Sequence, residues 1–329
     1  MEAEVGDWLV VKGPIVDRCE RRGLITEVRS ADGTPPFVVR WLDTAQTARV
    51  AQLRQAVSEL TWSPDGRWLA FHMPVTAETE PLAKPRKAPE GAEWSEPIKA
   101  FDAVLYKRDG DGLVDAAYEH VFVVPAEGGT PRQLTSGDFN HLGPLSWSAD
   151  GDRVYFSSNR NDDWEYEPVE SDIYSVSIAE REILRVTDMP GGEREPTLSP
   201  DGQRLAFVHD DGRKVGYRNR ILRVIALDGD ETWAPSESLD ASVSNVQWAD
   251  DGRALYGQFD QRGQRKVARF SLNGDTQVLT DALGGTSTGR PYNSGSYTVG
   301  DDTLAFSHGT ADRLADVAVV EREQLGAEA

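Results

Sequence analysis

A chain of 329 residues with 55 acidic against 35 basic side chains carries a net charge of −20, which excludes a surface built to neutralise a phosphate backbone, since that needs a basic footprint. Its one cysteine, Cys19, excludes an internal disulfide. No stretch is apolar for the length of a membrane span, and Met1 to Asp7 lack the basic and apolar segments of a secretory leader; membranes are therefore excluded as partners and a cytoplasmic location is expected.

In chain order, Val5 to Gly13, Gly23 to Arg29 and Phe37 to Leu42 alternate as short strands between glycine and proline turns. They predict a small SH3-like β domain over 1–44, with a boundary ambiguous to about 57. The opening resembles a small actinobacterial domain of unknown function on Val5-Gly6-Asp7, Gly23-Leu24-Ile25 and Pro35 to Trp41. The third strand also admits a second reading, in which residues 37–53 supply two outer strands of a blade.

From residue 58 onward one unit recurs: an apolar strand, a tight turn carrying Asp-Gly or its equivalent, and a second apolar strand. The turn aspartates are Asp65, Asp150, Asp201, Asp251 and Asp301, the last four separated by 51, 50 and 50 residues. A fixed period of this size means stacked or radial repeats. Proline presets the first turn angle, aspartate bonds its own backbone and glycine accepts a positive φ. Beyond the turns, Leu69/Phe71, Val154/Phe156, Leu205/Phe207 and Leu304/Phe306 keep a period of two with apolar residues on both faces. The expectation is an all-β fold, a propeller of five to six four-stranded blades that need not form a complete ring, over 45–329, with blades near 58–136, 143–188, 194–240, 244–281 and 293–322. The first blade carries an insertion of 49 residues between Phe71 and Val121. Its front half is proline-rich and its back half predicts a hairpin, Phe101 to Tyr106 with Leu113 to Tyr118.

With these units in place, the chain from about Phe37 onward resembles the propeller of the prolyl oligopeptidase family, in its acylaminoacyl-peptidase branch. The resemblance rests on Val38 to Arg49, Trp62 to Phe71, Lys87 to Trp94, Gly129 to His141 and Asp163 to Pro168. The Ser-Pro-Asp-Gly turns are shared with TolB-type propellers; Asp138-Phe139-Asn140-His141 and Asp163 to Pro168 are more specific. In that family the propeller filters access to an α/β-hydrolase domain that removes residues from peptide N-termini. No hydrolase pattern is expected here, and five blades and a fragment stand where the family has seven.

No catalytic, cofactor or metal residues are assigned. Gly285 to Gly289 fits Gly-x-Ser-x-Gly around Ser287, but a nucleophile elbow needs a strand before it and a helix after it, and coil flanks both sides. Asp109, Asp111 and Asp115 lack the bidentate glutamate of a calcium loop. The five histidines show no ligand spacing, and His141 is expected to bridge neighbouring blades in a structural role. Trp62, Trp147 and Trp248 recur at one blade position and are core. The acidic run holding Asp162, Asp163, Glu165 and Glu167 is the candidate rim for a peptide or protein partner. By resemblance to the related dipeptidyl peptidases it would attract a peptide's ammonium group; a solvated loop with two structural aromatics accounts for the same residues more simply. The expected function is a non-catalytic substrate-gating module whose partner is a peptide or protein, including a peptidase catalytic domain. The alternatives are the regulatory part of an active serine peptidase and a TolB-like protein-binding scaffold.

Overall fold

The first three repeats share one hydrogen-bonded turn. The Ser63 hydroxyl donates to Asp65 Oδ1 at 2.6 Å, the same carboxylate takes the Arg67 N–H at 2.9 Å, and the Trp68 N–H returns to Ser63 Oγ at 2.9 Å. Ser148 with Asp150 and Ser199 with Asp201 repeat the motif. The serine hydroxyls, the largest cause, hold the Asp150 and Asp201 carboxyls below their ordinary value. The glycine that follows has to be glycine, because φ is +69° at Gly66, +76° at Gly151, +70° at Gly202 and +66° at Gly252.

The computed structural model describes the strands within 8–48 by their backbone, and residues 51, 53, 55–76, 89–92, 101, 103–110, 112–114, 117–212, 218–285, 294–300, 303–309 and 315–320 in full, with the backbone of 310, 313–314 and 321. No helix occurs among them. The first four strands, Trp8–Val11, Arg21–Val28, Phe37–Trp41 and Thr47–Ala48, form an antiparallel sheet in that order. Phe37–Trp41 thus pairs with Arg21–Val28 on one side and Thr47–Ala48 on the other.

Five blades follow, and the fold is a β-propeller. Blade 1 is Ser58–Trp62, Trp68–Thr76, Ala117–Pro125 and Arg132–Gln133; blade 2 is His141–Trp147, Arg153–Ser158, Asp172–Ser177 and Ile183–Arg185. Blade 3 is Gly192–Leu198, Arg204–Asp210, Ile221–Ala226 and Thr232–Trp233; blade 4 is Val243–Trp248, Ala254–Gln261, Gln264–Ser271 and Thr276–Leu283. Blade 5 shows three strands among the described residues, Tyr297–Gly300, Thr303–Thr310 and Arg313–Glu321, and joins blade 4 through the pair Leu283 and His308. From blade 1 to blade 4, the first strand of each blade lies against the first strand of the next, the arrangement of inner strands about an axis.

Apolar residues on both faces of each sheet bury themselves between neighbours. Ala70, Val121 and Val123 of blade 1 meet Val154, Phe156 and Val176 of blade 2. Phe207 of blade 3 packs with Ile173 of blade 2, and Val208 with Phe270 of blade 4; Leu304 and Phe306 of blade 5 pack with Tyr256 and Val267 of blade 4. The repeated tryptophans staple blades together, Trp147 Nε1 donating to the Thr61 carbonyl at 3.3 Å and Trp248 Nε1 to that of Thr197 at 3.0 Å. Ala51, Leu53 and Val57 pack on the stacked rings of Phe71 and Phe122, so the segment after the N-terminal sheet covers the outer side of blade 1.

The insertion hairpin differs from expectation. Among the described residues Lys107–Arg108 and Gly112–Leu113 pair, with the Val114 N–H donating to the Tyr106 carbonyl at 3.0 Å, and Tyr118 instead joins the blade opposite Val75. The long partner strand Trp68–Thr76 satisfies more backbone groups than a free hairpin would, and takes residues 117–125 for itself.

Candidate functional site: an inter-blade cavity

The stretch Asp138 to His141 enters blade 2 with each residue after the aspartate holding a neighbour. Asn140 Oδ1 accepts the Glu119 N–H at 3.0 Å, and its carbonyl accepts the Ser158 hydroxyl at 2.8 Å. Buried His141 donates from Nδ1 to the Glu119 carbonyl at 2.8 Å and accepts at Nε2 from the Arg160 guanidinium at 2.8 Å. This fixes its neutral tautomer. Arg160 lies 4.7 Å over the Phe139 ring and 5.9 Å over that of Tyr174. Burial, above all, drives the His141 pKa down to about 3, and that of His72, whose Nε2–H donates to the Gly143 carbonyl at 3.0 Å, to about 4. His141 therefore bridges blades 1 and 2.

The loop from Asn159 to Ser171 is folded back on itself, Asn159 Nδ2 donating to the Glu167 carbonyl at 2.8 Å. Trp164 meets the Tyr118 ring edge-on at 6.2 Å, and Glu165 Oε1 accepts the Val104 N–H at 3.1 Å. The acidic loop thereby ties the blade 1 insertion to blade 2. Between them and blade 3 lies a cavity of about 620 Å³. Its apolar wall includes Val104, Leu105, Leu142 and Trp164, and its polar groups include Ser157, Arg194, Glu165, Glu170 and Glu195.

Each glutamate is partly engaged: Glu170 Oε2 accepts the Gly191 N–H at 3.0 Å, and Glu195 Oε2 that of Asn245 at 2.8 Å. Burial is the main cause of the raised Glu195 pKa. Arg194 is anchored through Nη2 on the Val169 carbonyl at 3.0 Å. The Ser157 hydroxyl, on a residue 4% exposed, has no hydrogen-bond partner among the described residues. A buried polar atom left open at a cavity wall is suited to a ligand's own donor or acceptor.

Of the four rim residues read from the sequence, Glu165 lines the cavity. Asp162 and Asp163 are exposed, and the Asp163 carbonyl accepts the Tyr166 N–H at 2.8 Å; Glu167 is half-buried. Glu170 and Glu195 were missed. Glu195 carried one signal, a carboxylate at the bulge position of a repeat, four residues before its Ser-Pro-Asp-Gly turn. Ser287, Asp111, Asp115 and Asp301 lie outside the described residues, and no group of three metal-ligating side chains occurs among those that are described.

Comparison with known proteins agrees with this architecture. Residues 1–51 match a domain of unknown function (DUF1918), and residues 93–211 match the dipeptidyl peptidase IV N-terminal region. An uncharacterized protein of Mycobacterium tuberculosis is 62% identical over 50 residues, 15% of this chain and 57% of that protein. Dipeptidyl-peptidase 5 of Porphyromonas gingivalis is 26% identical over 210 residues, 56% of this chain and 29% of that protein. This chain therefore spans less than two thirds of either relative. Among solved structures, the acylaminoacyl peptidase of Pyrococcus horikoshii superposes with a TM-score of 0.64 at 15% identity, over 91% of this chain and 42% of its own. TolB of Acinetobacter baumannii gives 0.54 at 16% identity, over 97% and 61%. The chain joins a DUF1918 segment to a β-propeller similar to those of TolB and of acylaminoacyl peptidase.

Proposed function

We propose that this chain is a non-catalytic propeller module of the serine-peptidase type, which receives a peptide in the cavity between blades 1, 2 and 3. The carrying observation is the cavity itself, with apolar walls and carboxylates at Glu165, Glu170 and Glu195. An apolar side chain enters the wall of Val104, Leu105, Leu142 and Trp164, while the peptide's ammonium group meets the carboxylates, the outer Asp162 and Asp163 adding long-range attraction. The non-catalytic part of the reading rests on the sequence, where coil flanks Gly285 to Gly289 on both sides. The partner that uses the gated peptide is a peptidase catalytic domain.

Titration of Trp164 fluorescence with a peptide bearing a free apolar N-terminal residue tests the proposal, with a Trp164→Phe control to isolate the signal. Saturable change that is lost on N-acetylation is expected; no change with either peptide overturns the peptide reading. Turnover of a chromogenic acyl-amino-acid substrate, abolished by a serine-directed inhibitor, would refute the non-catalytic role.

A further inference from the structure

Four blades bury the same row of side chains beneath the blade that follows. Between second and third strands, Ala70 faces Val123 and His72 faces Val121 in blade 1; Tyr155 faces Ser175 and Ser157 faces Ile173 in blade 2. In blade 3 Ala206 faces Val224 and Val208 faces Leu222, and in blade 4 Tyr256 faces Arg269 and Gln258 faces Val267. The equivalent third-strand residues Val121, Ile173, Leu222 and Val267 are each 0% exposed.

Blade 5 keeps the register but not the burial. Ala305 faces Val319 and Ser307 faces Val317, yet Val317 is 75% exposed and Val319 58%. The alternate residues Leu304 and Phe306 are buried against blade 4, so the strand pair is seated normally and its far face is exposed at Val317 and Val319. An apolar residue at the Val317 position is what every other inter-blade face buries, and valine is costly to leave in water.

We infer that this face of blade 5 is a docking surface for a second copy of the chain, the two sheets packing face to face about a two-fold axis. The described row Thr298, Ala305, Ser307, Val317 and Val319 holds no ionisable group, and Glu321, in register with Thr303, stands at its end. A chain of net charge −20 repels its own copy, and this described row carries none of that charge. A basic or acidic partner would find no ion pair on it, whereas two flat faces of small and β-branched residues complement each other under two-fold symmetry.

Light scattering coupled to gel filtration on the full chain reads the outcome directly. The wild type is expected at twice the chain mass in the micromolar range, more completely at high salt, which screens the net charge. Val317→Glu is expected to raise the dimer dissociation constant at least about a hundredfold, because it buries two carboxylates per dimer, with unchanged circular dichroism and melting; Val317→Ile should remain a dimer. A wild-type monomer at every concentration and salt, or a dimer indifferent to Val317→Glu, overturns the inference. Hydrogen exchange of residues 315–320 guards against a variant that does not fold: in the wild type their protection must rise with protein concentration, and protection independent of concentration overturns the proposal by showing that the chain covers the face itself.

Discussion

The Glu195 carboxylate of blade 3 accepts the Asn245 N–H of blade 4 at 2.8 Å, and both residues stand in the left-handed region, at φ 56° and 52°. Each lies within a register shift of its blade's first strand, between Arg194 and Thr197 and between Ser244 and Gln247. Glu59, at φ 54°, occupies the same place in blade 1, and Gly143, at φ 77°, lies in the corresponding shift of blade 2. A bulge releases backbone groups from the ladder, and neighbouring blades take them up, Glu195 at Asn245 and His72 at the Gly143 carbonyl. The bulges are thus joints between blades.

Replacing Glu195 by alanine should therefore destabilise the fold by about 0.5–1.5 kcal/mol, the net range for one lost hydrogen bond, because Asn245 is exposed and water can take up its N–H. Glu195→Gln, which keeps the acceptor, should stay much closer to the wild type. Glu59→Gly should act in the opposite direction: the side chain is exposed, and removing its Cβ relieves a left-handed penalty of roughly 1 kcal/mol. Urea unfolding midpoints of the three variants check this, and a loss of stability in Glu59→Gly would contradict the strain argument.

Acid should unfold the protein through blades 1 and 2. His72 and His141 have folded pKa values of about 4 and 3, chiefly through burial, against an ordinary 6.5. A folded value below the unfolded one means that the stabilising contribution is complete above about pH 6.5 and is lost as pH falls through the folded values. Protonated His141 could no longer accept from Arg160, which would then be expelled from its seat on Phe139. The urea midpoint is expected to drop steeply from about pH 6.5 to about 4, and His72→Gln, without a proton to gain, should flatten that limb. An unchanged acid limb in His72→Gln would remove His72 from the account.

Local chemistry was legible, and inter-blade chemistry mostly was not. The Ser-Pro-Asp-Gly turns, the strand period and the repeated tryptophans depend on residues within about a dozen positions of each other, where turn and strand preferences act. The bridging role of His141 was also readable, because Asp138 to His141 is the connection that leads from blade 1 into blade 2 and its partner Glu119 is 22 positions away. Glu195 meets Asn245 only after two bulges have each re-aimed a residue, and an exposed-looking Arg-Glu-Pro gives no sign of which strand it will meet. The acidic loop was found for its charge, whereas Glu165 acts on the Val104 backbone 61 positions away.

Alkaline conditions should weaken blade 3 from the opposite side. Glu193 is fully buried, with Thr187 Oγ1 donating to Oε2 at 3.1 Å and no donor on Oε1 among the described residues. Burial, with the Asp172 charge adding, lifts its pKa from 4.5 to about 8. A raised folded pKa contributes stability that is complete below about pH 4.5 and is lost as pH rises through about 8. His209 Nε2, 3.7 Å away, is committed to the Pro190 carbonyl, and Arg223 already donates to its Nδ1. Glu193→Gln should therefore gain on the wild type above about pH 8 and match it more nearly below; parallel midpoints across that range would show that Glu193 does not titrate with folding.

Ser157 separates stability from binding. Its buried hydroxyl lacks a partner and faces the cavity, so the empty protein carries the desolvation of that group without a compensating bond. Ser157→Ala should leave stability unchanged or raise it by up to about 1 kcal/mol, since removing an unpaired polar atom costs nothing in hydrogen bonding. If the cavity holds a peptide, the same change should weaken its binding by about tenfold, the equivalent of one lost hydrogen bond of about 1.4 kcal/mol. Arg160→Ala, by contrast, removes the seat of His141 and should lower stability and binding together. Paired thermal melts and Trp164 titrations distinguish the two patterns: a Ser157→Ala protein that melts as the wild type and binds as tightly would remove this hydroxyl from the site.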